Sequence, residues 1–335
     1  DIDYELPESA IAQTPIEPRD AARLLIDRGP EEPDDDYVKN LVEHLAPGDY
    51  LVVNNTRVMA ARLQLKRSSG GAVEVLLLEP IDAEELRWTA LVRPGGKLKA
   101  GESLCDQNGV AVALFGGRSE SDLDSFVVQF PDRYAARALM SAAGVMPLPP
   151  YIQTPLADPS RYQTVFSSIE RSAAAPTAGL HLTETLLDSV RSVGVEIGQV
   201  ELAVGLGTFK PVTAENPLEH DIHSESYSVP EEVMAKCAEA KRVVAVGTTA
   251  VRALESAATF DRLNGRTSLF IHRGYEWKVV DLMLTNFHMP RTSLLLMVDS
   301  FVGDRWRRLY STALERGYRF LSFGDAMLLN RHLPE

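Results

Sequence analysis

Arg242-Val243-Val244-Ala245-Val246-Gly247-Thr248-Thr249-Ala250-Val251-Arg252 decides the fold. Arg242 to Val246 is a short apolar run of the kind a buried strand uses, and after one glycine the chain enters a helix that continues through Ala257. A strand that feeds directly into a helix is the repeating unit of an α/β sheet. The junction also has chemical potential. A helix start offers free N–H groups, and two hydroxyl side chains beside them suit an anionic ligand, although Thr248 or Thr249 acting only as an N-cap is the plainer alternative. Arg252 and Glu255 lie one turn apart. They either pair on the helix surface, or Arg252 turns to the site and grips a carboxylate with its guanidinium fork.

Upstream, Tyr50 to Val53 reads as a strand that delivers the chain to Asn54-Asn55. Leu186, Leu187, Val190 and Val193 recur at helical spacing behind Thr183, a suitable N-cap, and Gly194 is placed to stop that helix. Val195 to Val204 alternates as a strand, with Gly198 where the phase slips, which suggests a bulge. Ser228-Val229-Pro230-Glu231 has capping-box spacing. Between Ala61 and Pro131 the pattern changes. Leu63 to Lys66, Val73 to Leu78, Trp88 to Val92, Val110 to Phe115 and Phe126 to Phe130 are short apolar or alternating runs separated by glycine turns, the signature of an antiparallel barrel or sandwich. A helix near Arg133 to Ala143 and the proline-rich Met146 to Pro150 mark the return. The expected architecture is an α/β main domain built from both chain ends (1–60 and 145–335) with an inserted antiparallel β-barrel-like domain (61–144).

The chain has 335 residues, 45% of them hydrophobic, enough for a substantial core. No stretch has the pattern of a signal peptide or the length of a membrane span, so a cytosolic protein is expected. Cys105 and Cys237 stand far apart and outside any CxxC or Cys/His pattern, which argues for free thiols and against a structural zinc. The formal net charge of −13 argues against a general electrostatic hold on nucleic acid. Any RNA contact must then be local. From Arg57 to Lys99, eight basic residues (Arg57, Arg62, Lys66, Arg67, Arg87, Arg93, Lys97 and Lys99) outnumber five acids (Glu74, Glu79, Asp82, Glu84 and Glu85), a modest excess equally consistent with a solvated face.

Five islands of polar residues and glycine interrupt this ordinary globular pattern: Asn54 to Arg57, Ala174 to His181, Val204 to Phe209, Val246 to Arg252 and Thr285 to Pro290. Gly205-Leu206-Gly207-Thr208-Phe209 lacks the third glycine of a dinucleotide fingerprint, and Pro211 interrupts the helix that should follow, so these glycines serve a turn and a close approach to a ligand. Phe209 either stacks on a base or packs in the core. His223-Ser224-Glu225 contains the His-x-Glu of zinc deaminases without their Pro-Cys-x-x-Cys, which leaves an acid/base pair on one face of an extended segment. His181 and His288 each sit in a polar loop beside glycine or proline. Asn54-Asn55-Thr56-Arg57 has more hydrogen-bonding side chains than a turn requires. Asn286 is similar, or it stitches two loops together.

Together these islands, with Asp3 to Glu8, Met146 to Tyr151, Ile222 to Glu225, Tyr318 to Phe320 and Gly324 to Met327, resemble in order the S-adenosylmethionine:tRNA ribosyltransferase-isomerase family of the queuosine pathway. The resemblance implies transfer and isomerisation of the ribosyl portion of S-adenosylmethionine onto a 7-aminomethyl-7-deazaguanine at the wobble position of tRNA. Adenine and methionine would leave, with S-adenosylmethionine as co-substrate, no metal, no membrane, tRNA as partner and a monomeric protein. On it rest the site expectations. His181, His223 and Glu225 are candidates for proton transfer. Thr177, Gly179, Gly205, Gly207, Thr208, Phe209, Gly247, Thr248, Thr249 and Arg252 are candidates for holding the co-substrate, and Asn54, Asn55, Arg57, Arg62, Lys66, Asn286 and His288 for holding the tRNA. The chain departs from the family pattern at Ala60, Leu182, Ala203 and Ile271-His272-Arg273-Gly274-Tyr275, which bears on the substrate more than on the fold. Two other functions stay open: ribosyl transfer from S-adenosylmethionine to a free small-molecule acceptor, and a non-catalytic tRNA-binding paralogue.

Overall fold

The computed structural model describes residues 2–120, 125–205 and 224–334. The chain forms two compact units, one of Asp1–Arg57, Pro149–Ile169 and Ala175–Glu335, the other of Val58–Leu148 with Glu170–Ala174.

The first unit is the α/β one. Its sheet is made of β1 (Arg23–Ile26), β2 (Asp34–Tyr37), β3 (Asp49–Asn54), β4 (Glu196–Leu202), β5 (Glu225–Ser228), β6 (Arg242–Val246), β7 (Asn264–Thr267), β8 (Leu282–Asn286) and β9 (Ala326–Asn330), in the spatial order β7-β5-β4-β3-β6-β8-β9-β1-β2. The centre, β4-β3-β6-β8, is parallel. On one flank β9 runs antiparallel to β8 and pairs in parallel with β1, so strands from near the two chain ends lie side by side. Every residue of β3 is buried, as expected for a strand covered on both faces. Leu51, Val53, Val244, Val246, Leu282 and Leu284 pack with Leu186, Leu187 and Val190 of the helix Glu184–Ser192 in one apolar cluster. Each such side chain contributes about 1.5–3 kcal/mol when fully withdrawn from water. At the start of the central strands, Arg242 grips the buried Asp49 through two hydrogen bonds of 2.9 and 2.5 Å.

Thr183 caps the helix Glu184–Ser192 by accepting from Leu186 N–H at 3.1 Å, and Gly194 adopts φ +82 just beyond its end. Three local expectations are corrected. Gly198 is no bulge, because β4 runs beside β3 in unbroken register from Glu196↔Tyr50 to Val200↔Asn54. A Cβ at 198 would lie 2.2 Å from Tyr50 Oη, so glycine is there to admit the tyrosine. Ser228 makes no capping box: it ends β5, and the helix Glu231–Glu239 begins after Pro230 without a side-chain cap. Arg252 and Glu255 do not pair on a surface, since both are buried on the helix Thr248–Phe260. Glu255 instead accepts the backbone N–H groups of Lys278, Val279 and Val280, each at 2.9 Å.

The second unit is a closed antiparallel barrel in the order Phe126–Gln129, Arg87–Arg93, Ala72–Pro80, Arg62–Arg67, Glu102–Cys105, Ala111–Arg118. Alternation builds it. Trp88, Ala90 and Val92 point inward with Leu63, Val75 and Phe115, while Arg87 and Arg93 are exposed. Glu102–Cys105 is a strand that its Glu-Ser-Leu-Cys sequence does not announce, because it has no alternation of its own.

Candidate active site

In open α/β sheets, ligands bind outside the carboxyl ends of the strands. Here those ends belong to β4, β6 and β8, and beyond them lies an open cleft. Val204 follows β4, Gly247 to Thr249 follow β6, and Thr285 to Met289 close β8. Thr177 and Ala178 from the turn Thr177–His181 form another wall, with Tyr151 and Ser322.

Gly247 occupies the N-cap of the helix Thr248–Phe260 at φ +87, a conformation that favours glycine, and no side chain caps this helix. Neither Thr248 nor Thr249 is therefore spent on a cap. Thr249 Oγ1 is buried and has no hydrogen-bond partner among the described residues. The first turn thus presents free N–H groups and an unsatisfied hydroxyl beside the cleft, where an oxyanion is stabilised.

The opposite wall is held by side-chain hydrogen bonds. Thr177 Oγ1 donates to Asn286 Oδ1 at 3.0 Å, and Asn286 Nδ2 donates to the Leu321 carbonyl at 3.0 Å, so this amide stitches three segments together. Tyr151 and Ser322 share a hydrogen bond of 2.6 Å. Burial pushes the Tyr151 phenol above its ordinary pKa, keeping it protonated. His288 lies 3.0 Å from Thr285 Oγ1 through Nε2, and its backbone N–H donates to the Tyr310 hydroxyl at 2.9 Å. Burial takes its pKa down to about 3, so the ring is neutral at pH 7.

Six of the expected site residues therefore meet in one cleft: Thr177, Gly247, Thr248, Thr249, Asn286 and His288. His181 does not line it. Its Nδ1 faces the Ala178 carbonyl at 3.0 Å and its Nε2 the Gly324 carbonyl at 2.7 Å, on the wall of a second hollow. Burial lowers its pKa against the pull of those carbonyls, and a neutral ring can donate to only one of them. Gly179 is a packing residue: a Cβ there would come within 2.8 Å of Phe166 Cζ. Arg252 is buried one turn beyond Thr248, where its Nη1 binds Glu225 Oε2 and its Nη2 donates to the Thr267 carbonyl at 3.2 Å. Glu225 Oε1 also accepts Gly205 N–H at 2.9 Å. Gly207, Thr208, Phe209 and His223 lie outside the described residues.

Of the residues expected to hold tRNA, Asn54 is buried and exchanges hydrogen bonds with the backbone of Leu202, at 3.0 and 3.2 Å. Asn55 donates to Gln199 Oε1 at 3.1 Å, and Arg57 to Ser167 Oγ at 3.2 Å. In the barrel unit Arg62 stands 4.0 Å from Glu74, and Lys66 Nζ donates to the Gln107 carbonyl at 3.2 Å. Ion pairs of Arg67 with Glu102 and of Arg87 with Asp82 temper the basic excess read from the sequence. Sequence reasoning assigned no role to Tyr151, Thr285 or Ser322. Tyr151 stood in a quoted motif and Thr285 in an island, but nothing in the sequence around Ser322 marks it. Among the described residues no group of three or more His, Cys, Asp or Glu side chains converges as a metal site, and no helix is long and apolar enough to cross a membrane.

A family model described as Queuosine biosynthesis protein matches residues 1–329. The chain is 46% identical over 340 residues to the S-adenosylmethionine:tRNA ribosyltransferase-isomerase of Symbiobacterium thermophilum. It is 47% identical over 347 residues to the protein of that name from Heliobacterium modesticaldum and 44% identical over 341 residues to that from Thermotoga maritima. Each alignment covers 98% of this chain and 98% of the relative. A crystal structure of S-adenosylmethionine tRNA ribosyltransferase from Thermotoga maritima superposes with a TM-score of 0.55 at 35% identity, covering 98% of this chain and 99% of that one. With likeness of this extent running through both units and every strand of the cleft, the chain belongs to the S-adenosylmethionine:tRNA ribosyltransferase-isomerase family of queuosine biosynthesis proteins.

Proposed function

We propose that this protein transfers and isomerises the ribosyl moiety of S-adenosylmethionine onto a tRNA base in queuosine biosynthesis, the acceptor being 7-aminomethyl-7-deazaguanine at the wobble position, and that it works as a monomer. What carries this function is the end-to-end likeness to proteins named for that reaction. The cleft supports it with a helix start and free hydroxyl suited to the methionyl carboxylate, and with a wall of hydroxyl and amide groups suited to a ribose.

The chemistry begins with loss of a proton from the carbon beside the sulfonium, whose positive charge stabilises the carbanion. The ribose opens and expels adenine, which takes up a proton. The aminomethyl nitrogen of the base attacks the vinyl sulfonium, ring closure follows, and epoxide formation displaces methionine. A base, an acid and donors for the alkoxide and aldehyde oxygens are required. Thr248, Thr249 and the N–H groups behind them are assigned to the carboxylate, and Thr177 to a sugar oxygen. Glu225 and His223 are assigned to proton transfer. His181, engaged with two backbone carbonyls, is assigned to holding the turn that carries Thr177.

Incubation with S-adenosylmethionine, with and without tRNA bearing the aminomethyl base, tests the proposal by adenine release. Release that needs the modified tRNA is expected. Release without tRNA indicates a small-molecule acceptor, and tRNA binding with no release indicates a non-catalytic paralogue.

A further inference from the structure

A second, shallow hollow shares Ser322 with the cleft and takes its wall from Leu180 and His181 of the same turn. No step proposed above uses it. Two arginines, Arg19 and Arg161, face it. Only 12% of the Arg161 side chain is exposed. Its Nε binds the Glu17 carboxylate and its Nη2 donates to the Ile16 carbonyl at 2.9 Å, but Nη1 is buried with no hydrogen-bond partner among the described residues. Arg19 donates to the carbonyls of Leu180 and Ser160, each at 3.2 Å. Burial, and then the like charge of Arg161, lower the Arg19 pKa to about 10 against the opposing pull of Glu17 and Asp158.

Glu17 and Asp158 offset part of this charge, but no acid among the described residues hydrogen-bonds Arg161 Nη1. Glu17 reaches Arg161 from solvent, with 68% of its side chain exposed. Asp158 is committed to Ser160 N–H and Oγ, at 2.9 and 2.8 Å, and Asp325 to the backbone N–H groups of Arg23 and Arg319, at 2.8 and 2.7 Å. The His181 ring is kept neutral by burial. Two gathered guanidiniums with an unspent buried N–H pair are the chemistry that charge-assisted binding of a tetrahedral oxyanion requires.

We propose that the Arg19–Arg161 hollow is a phosphate-binding site which, under the function proposed above, seats a backbone phosphate of the RNA beside the ribosyl-transfer cleft. The test uses the full chain in two arms. In the first, inorganic phosphate is titrated and followed by phosphorus NMR line broadening. In the second, tRNA affinity is measured against KCl concentration. Arg161→Gln is expected to weaken phosphate at least about tenfold, and Glu17→Gln, which removes the exposed carboxylate bound to Arg161 Nε, to strengthen it about threefold. In the second arm Arg161→Gln is expected to flatten the salt slope by about 0.7–0.9, the loss of one phosphate contact, with S-adenosylmethionine affinity unchanged within about twofold. A response in the second arm assigns the site to RNA, and a response in the first arm alone assigns it to free phosphate. Should Arg161→Gln fail to fold, Glu17→Gln on an exposed side chain still decides. No change in either arm with either variant overturns the proposal. A protein that binds no S-adenosylmethionine and releases no adenine would refute the proposed reaction, while the inorganic phosphate arm would still judge the hollow.

Discussion

Thr249 holds a buried hydroxyl that finds no partner among the described residues, and the proposed function assigns it to the methionyl carboxylate. Thr249→Val keeps the shape and removes the hydroxyl. S-adenosylmethionine affinity, measured calorimetrically, is expected to fall about five- to tenfold, the worth of one hydrogen bond, with Tm moving by no more than about 2 °C. Unchanged affinity would place the carboxylate elsewhere. His288 makes a prediction about pH. Its folded pKa, about 3, lies below the 6.5 of an unperturbed histidine, so below pH 6.5 the unfolded chain takes up a proton that the folded chain refuses. The stability tied to His288 is therefore complete above 6.5 and declines as pH falls from there toward 3. In urea titrations His288→Asn is expected to lose less stability than the parent over that window. The threonines and His288, which line the cleft, stood out in the sequence because hydroxyls and a histidine clustered near glycine or proline break the apolar pattern of a core. The orientation of His181 was not legible, since its partners Ala178 and Gly324 are carbonyls that any sequence would supply.

At the scale of elements, the buried pair Glu225–Arg252 ties β5 to the helix Thr248–Phe260, and through Gly205 N–H to the segment leaving β4. Removing one partner leaves the other charge buried. Glu225→Gln is expected to cost about 3–5 kcal/mol in urea unfolding, and the double change Glu225→Leu with Arg252→Met much less than the sum of the two single changes. If each single change costs under about 1 kcal/mol, the pair does not organise this edge of the site. A second coupling joins β4 to β3. Gly198→Ala is expected to destabilise the protein by about 1–3 kcal/mol through overlap with the Tyr50 hydroxyl, and Tyr50→Phe is expected to relieve part of that cost. Elements with a pattern of their own, the continuous apolar runs of β3 and β6 and the alternation of the barrel strand Arg87–Arg93, could be read from the sequence. Glu102–Cys105 could not, because pairing with Arg62–Arg67 and Ala111–Arg118 defines it. Gly198 was misread because a glycine that makes room for a neighbour looks, in sequence, like one that bends a strand.

For the whole molecule, the cleft exists only because distant stretches converge on one end of one sheet. Ala326 to Leu328 pair with Leu24 to Ile26, and the turn Thr177–His181 faces Asn286 across the carboxyl end of β8. That both chain ends build one α/β unit was readable from the pattern of strands and helices around the inserted barrel, but the order of the strands was not, since periodicity identifies strands without ordering them. The same scale governs how the protein meets RNA. A chain with a net charge of −13 repels a polyanion at long range, and the barrel arginines Arg62, Arg67 and Arg87 stand beside Glu74, Glu102 and Asp82. Counterion release, which gives most nucleic-acid-binding proteins their sequence-independent affinity, is therefore expected to be small here. An unmodified duplex RNA of tRNA length is expected to bind at least about a hundredfold more weakly than tRNA bearing the aminomethyl base, measured by filter binding near 0.15 M salt, where screening acts over about 8 Å. Equal affinity for the two would mean that a general basic surface, rather than a few local contacts beside the cleft, selects the RNA.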